Sequence, residues 1–199
     1  MSKMSVPYEN IVSIVVLIVV LYTSWLYYEN KDHQYVLAND GNKYRVQISD
    51  DNKQSANLLA KAIKKVNILI EHLKKSHPND IRTKTLLDRF DANNITENNV
   101  SERDSGVTSY TVNKGEKLVV CLRQKNGELV DLNTLMYVIV HELAHICDLK
   151  SQQHDKRFWD NFEWLLTEAI DIGIYMYVDY GEDEVPYCGI HITSNVVDQ

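Results

Sequence analysis

The chain divides by hydropathy into one unbroken apolar run and a long remainder in which apolar residues recur at regular intervals. Residues 11–28 read IVSIVVLIVVLYTSWLYY, without a single charge. As a helix this run spans about 27 Å, close to the roughly 30 Å hydrocarbon core of a bilayer. Trp25, Tyr27 and Tyr28 gather at its C-terminal end, where amphipathic rings suit a membrane interface. No small-x-small cleavage pattern follows it, and no polar stripe divides it as one would divide a soluble core helix. Residues 1–30 are therefore expected to form a single-pass membrane anchor, and residues 33–199 a separate folded domain.

Beyond residue 33 the period changes. Residues 34–38 and 43–48 read as strands around Asn39-Asp40-Gly41-Asn42. From 55 to 76, Leu58, Leu59, Ala62, Ile63, Val66, Leu69, Ile70 and Leu73 fall at helical spacing, with solvated lysines between them. Pro78-Asn79-Asp80 opens a shorter helix reaching about Phe90. The Asn-rich run 91–105 reads as a loop. Residues 109–112 and 118–123 read as strands joined by Asn113-Lys114-Gly115-Glu116, with another turn at Lys125-Asn126-Gly127. Asp155 is a good N-cap for a helix over 156–173, whose inward stripe is Phe158, Phe162, Leu165, Ala169 and Ile172. Residues 187–193 read as a last strand.

One segment is apolar almost all round: Leu135, Met136, Val138, Ile139, Val140, Leu143, Ala144, Ile146 and Leu149. Such a helix belongs at the centre of the domain, and either Asp131 or Asn133 can cap it. It contains His141-Glu142-Leu143-Ala144-His145, an HExxH pentad. Residues four apart leave one face of a helix, so both imidazoles can bind one metal ion. Glu142, offset by about 100°, sits where a carboxylate can take a proton from water. Buried polar groups need partners, and a metal would supply them here.

A catalytic zinc site needs three protein ligands and one open position. The extended pattern HExxHxxGxxH fails, because Asp148 and Ser151 stand where Gly and His are required. His154 is the best third ligand, in a loop that can turn back and at the N-terminus of the next helix, whose dipole favours neutral imidazole. Glu163 and Glu168 are the competitors, at spacings that suit a carboxylate from a downstream helix.

Charge and cysteine content narrow the function further. A formal net charge of −7 argues against a large nucleic-acid footprint. Cys121, Cys147 and Cys188 are widely spaced and form no CxxC pair, so a cysteine zinc site is not expected; one disulfide is compatible with them. Cys147 points away from the metal face and reads as a small core residue. The Lys and Arg flanking residues 11–28 lean slightly towards a cytoplasmic domain, whereas sequons at Asn94-Ile95-Thr96 and Asn99-Val100-Ser101 suit an exterior side. The two signals disagree.

His141-Glu142-Leu143-Ala144-His145 followed by His154-x-x-x-Phe158-Trp159 resembles the WLM and SprT-like group of zinc metallopeptidases. Within it the chain is most similar to small WLM-like proteins of large DNA viruses. The resemblance also covers Ser109-Tyr110-Thr111-Val112-Asn113-Lys114-Gly115, Cys121-Leu122-Arg123, Asn133-Thr134-Leu135-Met136-Tyr137 and Tyr187-Cys188-Gly189, within roughly residues 106–192. It implies an α+β zincin-like domain with an antiparallel sheet over the HExxH helix. It further implies Zn²⁺ held by His141, His145 and His154, with Glu142 as catalytic general base. Cellular members of the group act on proteins crosslinked to DNA; the acidic charge and the apolar N-terminal run do not carry that substrate over.

The reading is thus a membrane-anchored zinc metalloendopeptidase that hydrolyses peptide bonds through a zinc-activated water, acting on a protein or peptide, with no direct nucleic-acid partner expected. A strand beside the site, 118–123, is expected to align the substrate. Tyr175, Tyr177, Tyr187 and His191 are candidates for stabilising the oxyanion. The competing reading is a non-enzymatic membrane or virion protein using a zincin-like domain as scaffold, and intact Glu142 counts against it.

Overall fold

The computed structural model describes residues 8–99, 105–148, 150 and 153–197. Residues 1–7 of the expected anchor, the Val100 and Ser101 of the second sequon, and Leu149, Ser151 and Gln152 after the pentad lie outside the described residues. Two compact units are present, Met1–His33 and Gln34–Gln199.

The first unit is helix α1, Tyr8–Asn30, which at 23 residues is about 35 Å long. Its stretch Asn10–Tyr28 is long and apolar enough to cross a membrane. Ile11 through Val20 leave their side chains exposed, as do Trp25, Tyr27 and Tyr28. At the C-terminal end Asn30 Nδ2 donates to the Leu26 carbonyl at 2.8 Å, satisfying one of the acceptors a helix end leaves open.

Strand β1 (His33–Leu37), which starts at the last residue of the first unit, and β2 (Lys43–Gln47) pair as a two-stranded sheet. Helix α2 (Asn52–Ser76) begins three residues earlier than the apolar pattern indicates. Its N-cap, Asp51, makes no side-chain capping bond; its carboxylate reaches Arg123 at 2.6 Å instead. Arg123 is 4% exposed and also donates to Ser49 and Ser55, and its Nε lies 3.5 Å from Glu97, which is fully buried. A buried guanidinium needs this many acceptors. Beside it, the Asp51 carboxyl is held below the usual carboxylate range.

Helix α3 (Ile81–Arg89) is capped by Asp80, which accepts from the Arg82 amide at 2.8 Å. The segment read as an Asn-rich loop holds a 3-10 turn, Ala92–Asn94, and a three-residue strand β3, Ile95–Glu97. With β4 (Tyr110–Val112) and β5 (Lys117–Val120), β3 forms a sheet of order β3-β5-β4. Ile95 pairs with Leu118 in a parallel ladder, and Tyr110 with Val119 in an antiparallel one. The sheet is therefore mixed, where an antiparallel one was expected. β3 and β5 are separated along the chain by a long connection and β4, so no hairpin turn signals their pairing.

The central helix α4, Leu132–Cys147, is capped by Asp131, whose side chain accepts from the Thr134 amide at 3.0 Å. Asn133 acts elsewhere: its side chain exchanges two hydrogen bonds, each 2.8 Å, with the Met176 backbone. Helix α5 (Lys156–Asp171) is capped by Asp155. Leu135, Met136, Ile139, Val140, Leu143, Ala144 and Ile146 are fully buried, in one core with Leu59 and Leu69 of α2, Leu86 of α3, and Phe158, Leu165 and Ala169 of α5. Cys147 joins that core, and burial pushes its thiol up to about 12.

The last strand of the sequence reading is a hairpin: β6 (Val185–Tyr187) and β7 (Ile190–Ile192) turn at Cys188 and Gly189, both with positive φ. Cys188 is bonded to Cys121. The bridge closes a loop of 67 residues, and removing it as Cys121→Ala/Cys188→Ala should lower stability by about 2–4 kcal/mol. Urea unfolding of the double variant beside the parent chain measures this, and equal midpoints would show that packing alone holds the hairpin.

Candidate metal centre

The HExxH residues lie in the last two turns of α4, where the helical period puts His141 and His145 on one face with rings 5.1 Å apart. The helix is capped at Asp148, and the chain returns to helix as α5. Arg157 pins this return, ion-paired with Asp148 at 3.4 Å and donating to the Lys150 carbonyl at 2.9 Å. Lys114 holds the other side, donating to the carbonyls of His145 at 3.3 Å and Asp148 at 3.4 Å. It can do so because Asn113 and Lys114 adopt left-handed backbone and Gly115 approaches the Arg89 carbonyl too closely for a Cβ. A lysine at a helix C-terminus also complements the dipole.

The result brings His154 Nε2 to 3.1 Å from His141 Nε2. One ligand atom from each of His141, His145 and His154 lies within 4.8 Å of the others. Tetrahedral zinc with bonds of about 2.0–2.1 Å sets its nitrogens roughly 3.3 Å apart, so the spacing of His141 and His154 suits a zinc-class ion. Protonation suits it too. Burial, then the neighbouring imidazoles, lowers His141 to about 3; burial, then His154 and Lys114, lowers His145 to about 4. Neutral imidazole is the form that binds a metal.

Phe158, fully buried in the first turn of α5, underlies all three rings. Its centroid is 4.2 Å from His145 in a stacked pair, 4.6 Å from His154 and 4.8 Å from His141. Trp159 lies against the outer side of His154 at 5.6 Å. Ring contacts of this kind hold the imidazoles in orientation, the part that hydrogen bonds play at known metal sites.

Glu142 is 6% exposed and opens with the three histidines onto a cleft of about 980 Å³. Burial pushes its carboxyl up to about 8. A dication beside it would draw that value down again. Of the four oxyanion candidates, Tyr187 and His191 line the same cleft, and Tyr175 and Tyr177 do not. The Tyr187 hydroxyl donates to the Cys121 carbonyl at 2.9 Å and shares a 2.8 Å bond with Ser109. His191 is exposed and 3.3 Å from Glu184.

The competing carboxylates are placed elsewhere: Glu163 is exposed, and Glu168 contacts His72 and His77. The strand expected beside the site also changes identity. Residues 117–120 form β5, which is paired on both sides. The sheet edge is β4, and Thr108, Ser109, Tyr110 and Thr111 line the cleft. Periodicity shows which residues are strand but not which strand ends the sheet, so this could not be read beforehand. Lys114 was missed for a similar reason, since its role depends on a left-handed turn.

A model of the WLM domain matches residues 42–185. The chain is 33% identical over 167 residues to an uncharacterized protein of Acanthamoeba polyphaga mimivirus, covering 82% of this chain and 84% of that one. It is 34% identical over 74 residues to an uncharacterized protein of Invertebrate iridescent virus 6, covering 35% of this chain and 40% of that protein. Among solved structures it is similar to Wss1 from Saccharomyces cerevisiae, 23% identical, with 63% of this chain and 84% of that one covered and a TM-score of 0.48. A Wss1 mutant is similar at 22% identity, 66% and 91% coverage, and a TM-score of 0.49.

Proposed function

We propose, from the premise that this chain belongs to the WLM-domain family and so to a metallopeptidase-like, metal-dependent group, that it is a membrane-anchored zinc endopeptidase. One observation carries the reading: three imidazoles converge within 4.8 Å of one another in a cleft that also holds a buried carboxylate. His141, His145 and His154 would hold the ion. Zinc, when bound, would supply Lewis acidity to the scissile carbonyl and acidify water at the site.

The remaining chemistry falls to the chain's own residues. Glu142 would accept the proton of the attacking water and return it to the leaving amine. The outer side of β4, whose residues line the cleft, would receive an extended peptide as an added strand, setting the scissile bond over the histidines. Tyr187, which lines the cleft with its hydroxyl held by Cys121 and Ser109, is the tyrosine we assign to the oxyanion. Substrates are proteins or peptides. The test is turnover of an unfolded protein by the zinc-loaded full-length chain in detergent, stopped by a chelator and restored by zinc. Zinc retained without turnover would favour the scaffold reading.

Helix α1 would be the anchor, and the fold bears on its orientation. Disulfides persist in oxidising compartments, and Cys121–Cys188 joins the exposed Asn94 in favouring an exterior or lumenal domain. The expected result is a chain that resists carbonate extraction and carries glycan on Asn94 when made in a eukaryotic secretory system. Release into the soluble fraction would remove the anchor. A resistant chain whose mass is unchanged by glycosidase would place the domain in the cytoplasm.

A further inference from the structure

A second cluster lies at the other end of α5. Glu168, in the last turn of that helix, has one carboxylate oxygen 2.6 Å from His72 Nε2 and the other 2.8 Å from His77 Nε2. His72 comes from α2, and His77 is the residue that caps its C-terminus. All three side chains are partly buried, and one ligand atom from each lies within 4.8 Å of the others. We propose that His72, His77 and Glu168 form a second site for a zinc-class divalent cation, distinct from the HExxH centre.

Three physical features favour a cation here. The donor set, two imidazoles and a carboxylate, is one that zinc accepts, with a fourth position left to water. Glu168 adds negative charge to a helix C-terminus that has no basic residue in its last turn, the reverse of what the dipole prefers. The cluster is also held in shape from outside. His77 packs edge-on against Trp164 at 5.7 Å, Trp164 is covered by the Arg82 guanidinium at 3.8 Å, and Arg82 is held by both oxygens of Asp80. His72 Nδ1 lies 3.4 Å from the Ser76 hydroxyl, leaving Nε2 turned to Glu168.

The two clusters share one rod. Helix α5 is 16 residues long, about 24 Å, with Phe158 under the HExxH imidazoles at one end and Glu168 at the other. An ion on Glu168 would tie that rod to α2, so its role is to lock α5, and it takes no part in bond cleavage. The two ends are separable, because Glu168 and Phe158 touch different histidines.

The experiment counts zinc per full-length chain in detergent after the stripped protein is reloaded and buffer-exchanged, with melting temperature recorded on the same samples. Two zinc ions are expected in the parent chain, one in Glu168→Gln, one in His154→Ala, and none in the double variant. Zinc should raise the melting temperature of His154→Ala and leave that of Glu168→Gln/His154→Ala unmoved. His77→Gln, altering a more exposed residue, repeats the Glu168 result if that variant misfolds without metal. A parent chain and a Glu168→Gln chain holding equal zinc would overturn the second site. Zinc lost in Glu168→Gln but unchanged in His154→Ala would keep the second site and overturn the first.

Discussion

Glu142→Gln should keep its zinc at the HExxH centre and lose peptide cleavage by roughly 10²–10⁴-fold, the share a positioned general base supplies. The substitution preserves volume in a buried position and removes only the capacity to hold a proton. Its side chain leaves α4 about 100° from His141 and about 60° from His145, so the metal ligands are untouched. His154→Ala separates the roles from the other side. Two imidazoles cannot hold a catalytic ion as three do, so this variant should lose the centre's zinc and its activity together. Glu163→Ala should keep both, because that carboxylate is exposed and away from the cleft. Full cleavage by Glu142→Gln would remove the mechanism; zinc retained at the centre in His154→Ala would remove the ligand.

Phe158→Ala should be the most damaging single change outside the ligands. Deleting a fully buried ring costs about 3–5 kcal/mol, from lost transfer energy and the cavity left behind. Here the cavity would open beneath His141, His145 and His154, whose ring positions Phe158 sets. Zinc affinity should therefore fall by about 10–100-fold as well, the usual penalty for losing a group that orients ligands. Phe158→Leu distinguishes the two effects, since it restores most of the volume without the flat face that His145 stacks on. Denaturant melts of the metal-free forms and zinc competition with a chelator give the two numbers separately. Parallel losses in both variants would mean that Phe158 is only packing.

How much of this was readable beforehand follows from the range of each interaction. The central helix was legible because its apolar residues run all round, and only burial explains that pattern. Its caps were legible to within a choice: Asp131 and Asn133 both fit, and the outcome turned on Met176, which lies far along the chain. His154 was reachable because it follows the pentad within a short loop. Strand β3 was not legible, since Ile95-Thr96-Glu97 is three residues among asparagines and owes its form to a distant parallel partner. For the same reason sheet order was hidden, and β5 was taken for the strand beside the substrate. The Cys121–Cys188 pairing depends on a hairpin turn that the reading of one continuous strand left out. The second histidine cluster joins three positions from two helices and gave no local motif at all.

The bridge from Cys121 to Cys188 also sets how this chain tolerates being cut. Every residue of the HExxH centre, from His141 to His154, lies between those two cysteines. A single proteolytic nick between α4 and α5 opens the backbone but frees no fragment. The new ends stay tethered through β6 and sulfur, α4 and α5 remain in one core, and the histidines on either side of the break keep their address. The nicked protein still migrates as one species until it is reduced. For the endopeptidase proposed above, the covalent ring would act as a safeguard against autolysis.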